Sequence, residues 1–334
     1  MPTLYLLEQN SRLSKTSKRL VVERDGVPAQ EIPEFKVDRA FIFGNVQVTT
    51  QALRFLLTEG ADVCFFTMAG KLCGKLVPAE GKNVFLRMKQ YDAFKDEPFK
   101  LSLAKSVAAG KIANCRAALQ KHGRNHPEAV LEPEIARLGE LLDDVPRKTQ
   151  LSSLLGVEGM AAKVYFQGFA RCLRKSFSFD GRNRRPPRDP VNSLLSLTYA
   201  LLTAEMFSIT SAIGLDPYVG FLHSLDYGRP SLALDLIEEF RPVIADRLTL
   251  ELVNREMLAE TDFEYERTEE GDVLKVLLNA EGKKTYFTQY EKRMNAVVAT
   301  DGGEAGYRRV FESQARQMAA AIERRGEYRP FQLR

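Results

Sequence analysis

Up to about residue 78, hydrophobic and polar positions alternate in short runs, as half-buried strands require. The runs are Leu4 to Leu7, Arg19 to Glu23, Arg39 to Phe43 and Val63 to Phe66, punctuated by turn residues at Asp25-Gly26 and Gly44-Asn45. One helical interruption is expected from Thr50 to Glu59, stopped by Gly60 at a C-cap position. Beyond Pro78 and Gly81 the period lengthens to that of helices, near 83–94, 98–121, 128–143, 150–174, 190–213, 232–258 and 307–325. The charged stretch from Phe263 to Leu278 reads as a β ribbon at an edge. The pattern therefore predicts an α+β protein, with a small, mostly β N-terminal domain over 1–80 and a larger, nearly all-α domain over 81–334. No internal repeat of fixed period is evident.

With 334 residues, 28% charged and 44% hydrophobic, the composition is globular, which excludes disordered, collagen-like and low-complexity classes. A formal net charge of +4 is too small to identify a nucleic-acid binder, so only its distribution is informative. Cys64, Cys73, Cys115 and Cys172 form no Cys-x-x-Cys pair, and a reduced cytosolic compartment fits them best. The N-terminal residues lack the basic-then-apolar order of a secretory signal. The apolar run from Leu194 to Leu215 carries Glu205 and several hydroxyls, so it reads as a buried helix of a soluble protein rather than a membrane span.

Some residue types conflict with their positions. In the helix expected over 150–174, Leu151, Leu154, Leu155, Ala161, Ala162, Tyr165 and Phe169 share one face, and Glu158 falls among them. A carboxylate there must be paired, protonated or metal-bound, and a salt bridge to a neighbouring helix is the plain alternative. His122 and His126 lie between Gly123 and Pro127 and read as a surface loop rather than a metal pair. His223 lies in a connector between two long helical segments, where site residues concentrate, although a hydrogen-bonded, half-buried imidazole would look the same. Asp235, Glu238 and Glu239 are grouped at helical offsets, which an acidic first turn also explains. Pro242 should distort that helix and aim Glu238 inward. Two or three carboxylates and one imidazole match what Mg²⁺ or Mn²⁺ accepts.

Basic residues cluster from Arg171 to Arg188, through Arg174, Lys175, Arg182, Arg184 and Arg185, and again near the C-terminus from Arg308. Basic runs are usually solvated surface, but a belt beside a carboxylate cluster fits a phosphodiester substrate. Phe177, Phe179 and Tyr165 lie near the belt and could stack on unpaired bases, although core packing is the commoner use.

Four blocks connect these residues: Leu155-Gly-Val-Glu-Gly-Met-Ala-Ala-Lys-Val-Tyr-Phe166, Arg182-Asn-Arg-Arg-Pro-Pro-Arg-Asp-Pro-Val-Asn-Ser-Leu-Leu-Ser196, Gly214-Leu-Asp-Pro-Tyr-Val-Gly-Phe-Leu-His223 and Pro230-Ser-Leu-Ala-Leu-Asp-Leu-Ile-Glu-Glu-Phe-Arg-Pro242. In this order and spacing they resemble the CRISPR-associated adaptation integrase family, Cas-one. The resemblance implies metal ligation by Glu158, His223 and Glu238, with Asp235 an acidic neighbour in the same catalytic block. Asp226 and Glu239 rank as rival acids. Many relatives carry Asp where this chain has Glu238. The resemblance further implies an N-terminal β domain that mediates an asymmetric homodimer, an α-helical catalytic domain, and a small partner, Cas-two, that sets the distance between active sites. The implied reaction is Mg²⁺- or Mn²⁺-assisted transesterification, in which the 3′-hydroxyl of a captured DNA fragment attacks a CRISPR repeat end. Water in its place gives nuclease activity, and His223 is also a candidate proton shuttle. Its substrates would be double-stranded DNA with 3′ ends or branches, held by the belt Arg182, Arg184, Arg185 and Arg188, in the prokaryotic cytoplasm.

Two other classes stand beside this one. A non-catalytic architectural nucleic-acid binder of the same fold would keep DNA affinity after chelation and after loss of Glu158. A hydrolase of small phosphate esters would need a Gly-rich phosphate loop, and none is evident.

Overall fold

A computed structural model describes residues 3–33, 37–76, 83–174, 177–183, 186–300 and 302–333. The chain divides into two compact units, Met1–Glu80 and Gly81–Arg334.

The first unit holds two four-stranded sheets. In one, β1 (Thr3–Leu6), β5 (Arg39–Phe43) and β7 (Asp62–Phe66) run parallel, and β8 (Leu72–Leu76) pairs antiparallel to β7. In the other, β2 (Arg12–Thr16), β3 (Arg19–Arg24) and β4 (Val27–Pro33) form an antiparallel meander, with the short β6 (Gln47–Val48) parallel to β2. The single helix described in this unit, α1 (Thr50–Thr58), starts at Thr49, whose hydroxyl accepts from the Ala52 amide, and is followed by Gly60 at φ +73°, a left-handed geometry that glycine adopts freely. Leu6, Ala40, Ile42 and Val63 from the first sheet, Leu13 and Leu20 from the second, and Ala52 and Leu56 from α1 fill one core cluster.

The second unit is mostly helical: α2 (Val84–Lys95), α3 (Glu97–Asn125), α4 (Glu132–Asp144), α5 (Leu151–Cys172), α6 (Pro190–Ile213), α7 (Ser231–Ile237), α8 (Arg247–Asn254), α9 (Ala280–Met294) and α10 (Tyr307–Arg324). The α+β reading of the sequence is borne out. So is the ribbon, in which β9 (Phe263–Arg267) pairs antiparallel with β10 (Val273–Leu278).

Three local expectations need correction. The helix expected over 232–258 is broken: α7 ends at Ile237, a π-helical turn runs from Arg241 to Asp246 with Pro242 in its first positions, and α8 follows. The missing amide of Pro242 explains the widened turn. Helix α9 and the ribbon of β11 (Val297–Thr300) and β12 (Gly303–Gly306) occupy a stretch in which neither was expected. His122 is not in a loop, because α3 continues through Gly123 to Asn125, leaving His122 in its last turn and His126 at the C-cap.

Helix α6 is long and apolar enough to cross a membrane, yet most of its apolar stretch is buried within the unit. Its Glu205 accepts from Arg308 Nε at 3.0 Å and from Tyr290 Oη at 2.9 Å, and Arg308 also pairs with Glu291. Burial would lower the Arg308 guanidinium, but its bonds to Glu291 and Glu205 outweigh this and raise it. The first cation of the C-terminal basic group is thus internal rather than solvated surface.

Candidate active site

Glu158 leaves α5 at the edge of its buried stripe, which runs through Leu154, Val157, Ala161, Tyr165 and Phe169, while Leu155 is exposed. His223 comes from the connector after α6, and Glu238 from the residue that ends α7. All three line one cavity of about 1050 Å³. The shortened α7 and the π-helical turn turn Glu238 inward, where it is 1% exposed.

The connector is held by Asp235. Its Oδ2 accepts from the amides of Phe221 at 2.6 Å and Leu222 at 3.0 Å, and its Oδ1 accepts from the His223 amide at 2.9 Å and ring Nδ1 at 2.7 Å. This wrap requires glycine at position 220, where an added Cβ would meet Asp235 Oδ2 at 2.7 Å and the Ser231 carbonyl carbon at 2.6 Å. A carboxylate only accepts, so Nδ1 carries a ring proton, and a neutral imidazole then has its lone pair on Nε2. Nε2 lies 3.6 Å from Glu238 Oε1. Asp235 thus stands behind His223, its carboxylate committed to the loop, and is absent from the cavity lining.

Lys111 of α3 and Arg241 of the π-helical turn complete the site. The Lys111 ammonium contacts Glu158 and lies 2.6 Å from Glu238 Oε2, an oxygen that accepts no well-aligned hydrogen bond. Arg241 Nη1 lies 2.9 Å from Glu238 Oε1 and its guanidinium stacks 4.6 Å from the Tyr199 ring centre. Burial alone would push the Glu238 carboxyl up, but Arg241, Lys111 and His223 outweigh it and pull it down to about 2. Burial likewise works against the Lys111 ammonium, yet Glu238 and then Glu158 raise it above the usual lysine range. The salt bridge that the sequence allowed for Glu158 is therefore present. Lys111 was legible by the same signal as Glu158, since Leu103, Val107, Lys111, Cys115 and Leu119 form a ladder of every fourth residue on α3 whose apolar members are all buried.

Among the described residues, no three His, Cys, Asp or Glu side chains are closed to metal-binding distances, because the Lys111 ammonium lies between the two glutamates. The donor set itself suits Mg²⁺ or Mn²⁺: two carboxylates, one of them with an oxygen lacking a well-aligned donor, and an imidazole nitrogen whose ring is oriented by a third carboxylate, Asp235. The rivals are placed elsewhere. Glu239 turns toward the C-terminal segment, accepting from Tyr328 Oη at 2.9 Å and the Phe331 amide at 2.8 Å, and Asp226 is exposed, accepting from the Tyr227 amide.

The basic belt is divided. Arg182 lines the cavity, but its guanidinium donates to the Asn183 carbonyl at 2.7 Å, to Asn192 Oδ1 and to Ser196 Oγ at 3.1 Å. Arg171 is bound to Glu134 and to the Val130 carbonyl. Arg174 and Arg188 are exposed, while Arg184, Arg185 and Lys175 lie outside the described residues. The aromatics near the belt pack: Phe177 against Phe263, and Phe179 against Phe166 and Phe169.

A β-rich unit followed by a helical unit carrying these blocks is the architecture of CRISPR-associated proteins that resemble this chain. The family model described as CRISPR associated protein Cas1 matches residues 4–292, and the chain belongs to the Cas1 family. A CRISPR-associated endonuclease Cas1 of Thermus thermophilus is 37% identical over 340 residues, covering 99% of this chain and 97% of that one. Among solved structures, a casposase bound to its integration product aligns with a TM-score of 0.86 at 26% identity over 99% of this chain and 93% of that chain. A Cas1 protein from Thermotoga maritima aligns at 0.81 and 26%, covering 98% of each. The resemblance drawn from the four blocks is borne out.

Proposed function

We propose that this protein is a CRISPR adaptation integrase, a divalent-metal-dependent DNA endonuclease and strand transferase that joins the 3′-hydroxyl of captured spacer DNA to CRISPR repeat ends. The observation that carries this reading is the convergence of Glu158, His223 and Glu238 on one cavity, in a chain of the Cas1 family. The relatives named as endonucleases support nuclease activity, and the casposase with its integration product supports strand transfer.

In this reading Glu158, Glu238 and the Nε2 of His223 hold Mg²⁺ or Mn²⁺. When bound there, such an ion would supply Lewis-acid polarisation of the scissile phosphate and charge stabilisation at the reacting oxygens. Asp235 fixes the ring so that Nε2 is presented. Arg241 keeps Glu238 ionised, and Lys111 neutralises the facing glutamates until the ion competes for them. The N-terminal unit is proposed as the homodimer contact and Cas-two as the assembly partner, as the family resemblance implies. The site of action is the prokaryotic cytoplasm.

Strand-transfer reversal on a branched DNA that mimics a half-integrated product tests this without a partner protein. Wild type and His223→Ala are compared in Mn²⁺, Mg²⁺ and EDTA. Release of the joined strand and resealing of the target by metal-loaded wild type alone supports the integrase. Binding of the branch by both proteins with no reaction in any metal transfers the lead to an architectural DNA binder.

A further inference from the structure

The C-terminal ends of α3, α5 and α8 enclose a second cavity, of about 330 Å³. Tyr165 and Pro242 form a wall common to it and to the carboxylate cavity. Burial sorts its lining by chemistry. Leu119, Phe169 and Val243 are buried and make an apolar floor. Lys121, Arg174 and Arg255 are exposed and Arg247 is half-buried, making a cationic rim. Asn254 fixes the rim by donating to the Cys172 carbonyl and accepting from the Arg174 amide, both at 2.8 Å.

Cations near helix C-termini complement the helix dipole, and this accounts for Lys121, Arg174 and Arg255 separately. It does not account for their convergence. Arg247 lies where the π-helical turn runs on into α8, inside one continuous helical run, so no helix end accounts for its charge there. The lining offers one carboxylate, Glu251, which already pairs with Arg247 at 3.4 Å and with Arg293. Among the described residues no ion pair joins Lys121, Arg174 or Arg255 to a carboxylate. The crowding is felt at Lys121, whose ammonium is lowered first by Arg247, then by partial burial, then by Arg293 and Arg124. Like charges held together around a concavity match a ligand that carries the compensating charge.

We propose that this cavity binds the terminal phosphomonoester of a nucleotide, either free or ending a DNA strand, with the phosphate on the cationic rim and the sugar or base on the apolar floor. Two physical points select this ligand. A phosphomonoester carries about −1.5 to −2 charges at neutral pH and a backbone diester only about −1, so the monoester better matches four cations facing one carboxylate. A concavity of this volume takes a single nucleotide unit, whereas a continuous backbone needs an open track. The site goes beyond the integrase reading and uses none of the proposed metal ligands.

Calorimetry in EDTA with dTMP, thymidine and inorganic phosphate, joined to anisotropy of a short oligonucleotide carrying a 5′-phosphate or a 5′-hydroxyl, tests it. Working without metal separates failure of this site from failure of the integrase reading. Wild type is expected to bind dTMP at least about tenfold tighter than thymidine or inorganic phosphate, or to prefer the phosphorylated strand by that factor. The first result identifies a free nucleotide as occupant and the second a strand end. Arg174→Ala/Arg255→Ala, both on exposed positions, should abolish the preference while leaving the melting temperature unchanged, and Arg255→Glu should do so alone. A phosphate preference that persists in both variants, or none in wild type, overturns the assignment. Equal binding of inorganic phosphate and dTMP, with no preference for the phosphorylated strand, also overturns it, since the floor then contributes nothing.

Discussion

Lys111 Nζ lies 2.6 Å from Glu238 Oε2 and also contacts Glu158, so a single ammonium bridges the two glutamates proposed as metal ligands. A buried pair that loses one partner leaves an uncompensated charge, which costs about 3–5 kcal/mol. Lys111→Met should therefore lower the melting temperature in EDTA. It should also remove the competitor for the ion, so Mn²⁺ should restore more stability to the variant than it adds to wild type. Binding at a hundred times Kd adds about 2.7 kcal/mol, a readily measured shift. Thermal melts of both proteins with and without Mn²⁺ decide it, and an equal or smaller Mn²⁺ shift in Lys111→Met means that Lys111 and the ion do not share the site.

Asp235 is expected to act through His223 rather than on substrate. Asp235→Asn replaces one accepting oxygen with a donor that must face backbone amides, which loosens residues 220–223 and releases the ring. Oriented ligands typically lose about 10- to 100-fold in metal affinity when the orienting group is removed. Mn²⁺ titration should show a loss of that order, larger than the loss for Asp226→Asn on the exposed loop. Equal, small effects in the two variants would remove Asp235 from the site.

The legible part of the site was the part in which residue type contradicts pattern. Glu158 beside an apolar stripe, His223 in a connector and Glu238 upstream of Pro242 each stood out, and the structure brings all three to one cavity. Lys111 carries the same signal in the buried ladder of α3, but a lysine stem normally snorkels to the surface, which weakens the signal until the pairing with Glu238 is seen. Gly123 and Pro127 suggested a loop around His122, yet α3 is a 29-residue helix, and an interior glycine costs it only about 1 kcal/mol. Helix α9 was hidden by its polar surface, although Tyr286, Tyr290 and Met294 recur every fourth residue along its buried face. Strands β2 and β6 were hidden by short polar sequences whose register is set by tertiary pairing, β2 on β3 and β6 on β2.

Asp246, 1% exposed at the end of the π-helical turn, should make stability depend on pH. Burial pushes its carboxyl from 3.8 up to about 6, against the hydroxyl bonds from Tyr199, at 2.6 Å, and Tyr165. Between those values the folded chain holds a proton that the unfolded chain has released. The contribution is therefore full below about 3.8 and is lost as pH rises through about 6. Asp246→Asn cannot titrate and should lack this slope. The difference in unfolding free energy between the two proteins should change by about 3 kcal/mol across the window, at about 1.4 kcal/mol per unit. Parallel curves would show that burial does not shift the Asp246 carboxyl away from its value in the unfolded chain.

The basic belt separates by what each guanidinium touches. Arg182 holds the loop through Asn183, Asn192 and Ser196 and stacks 5.2 Å from the centre of the Tyr199 ring, whereas Arg188 is exposed. Loss of Arg182 leaves those acceptors without their donor, at a cost of about 1–3 kcal/mol, so Arg182→Ala should melt earlier. Arg188→Ala should melt with wild type but release about one counterion fewer on binding DNA, reducing the slope of log affinity against log salt by about one. The same titration on Arg184→Ala/Arg185→Ala tests the remainder of the belt, with a reduction of about two expected. An unchanged slope for Arg188→Ala takes that residue out of the DNA interface. A reduced slope for Arg182→Ala at unchanged melting temperature would make Arg182 a phosphate ligand rather than the pin of its loop.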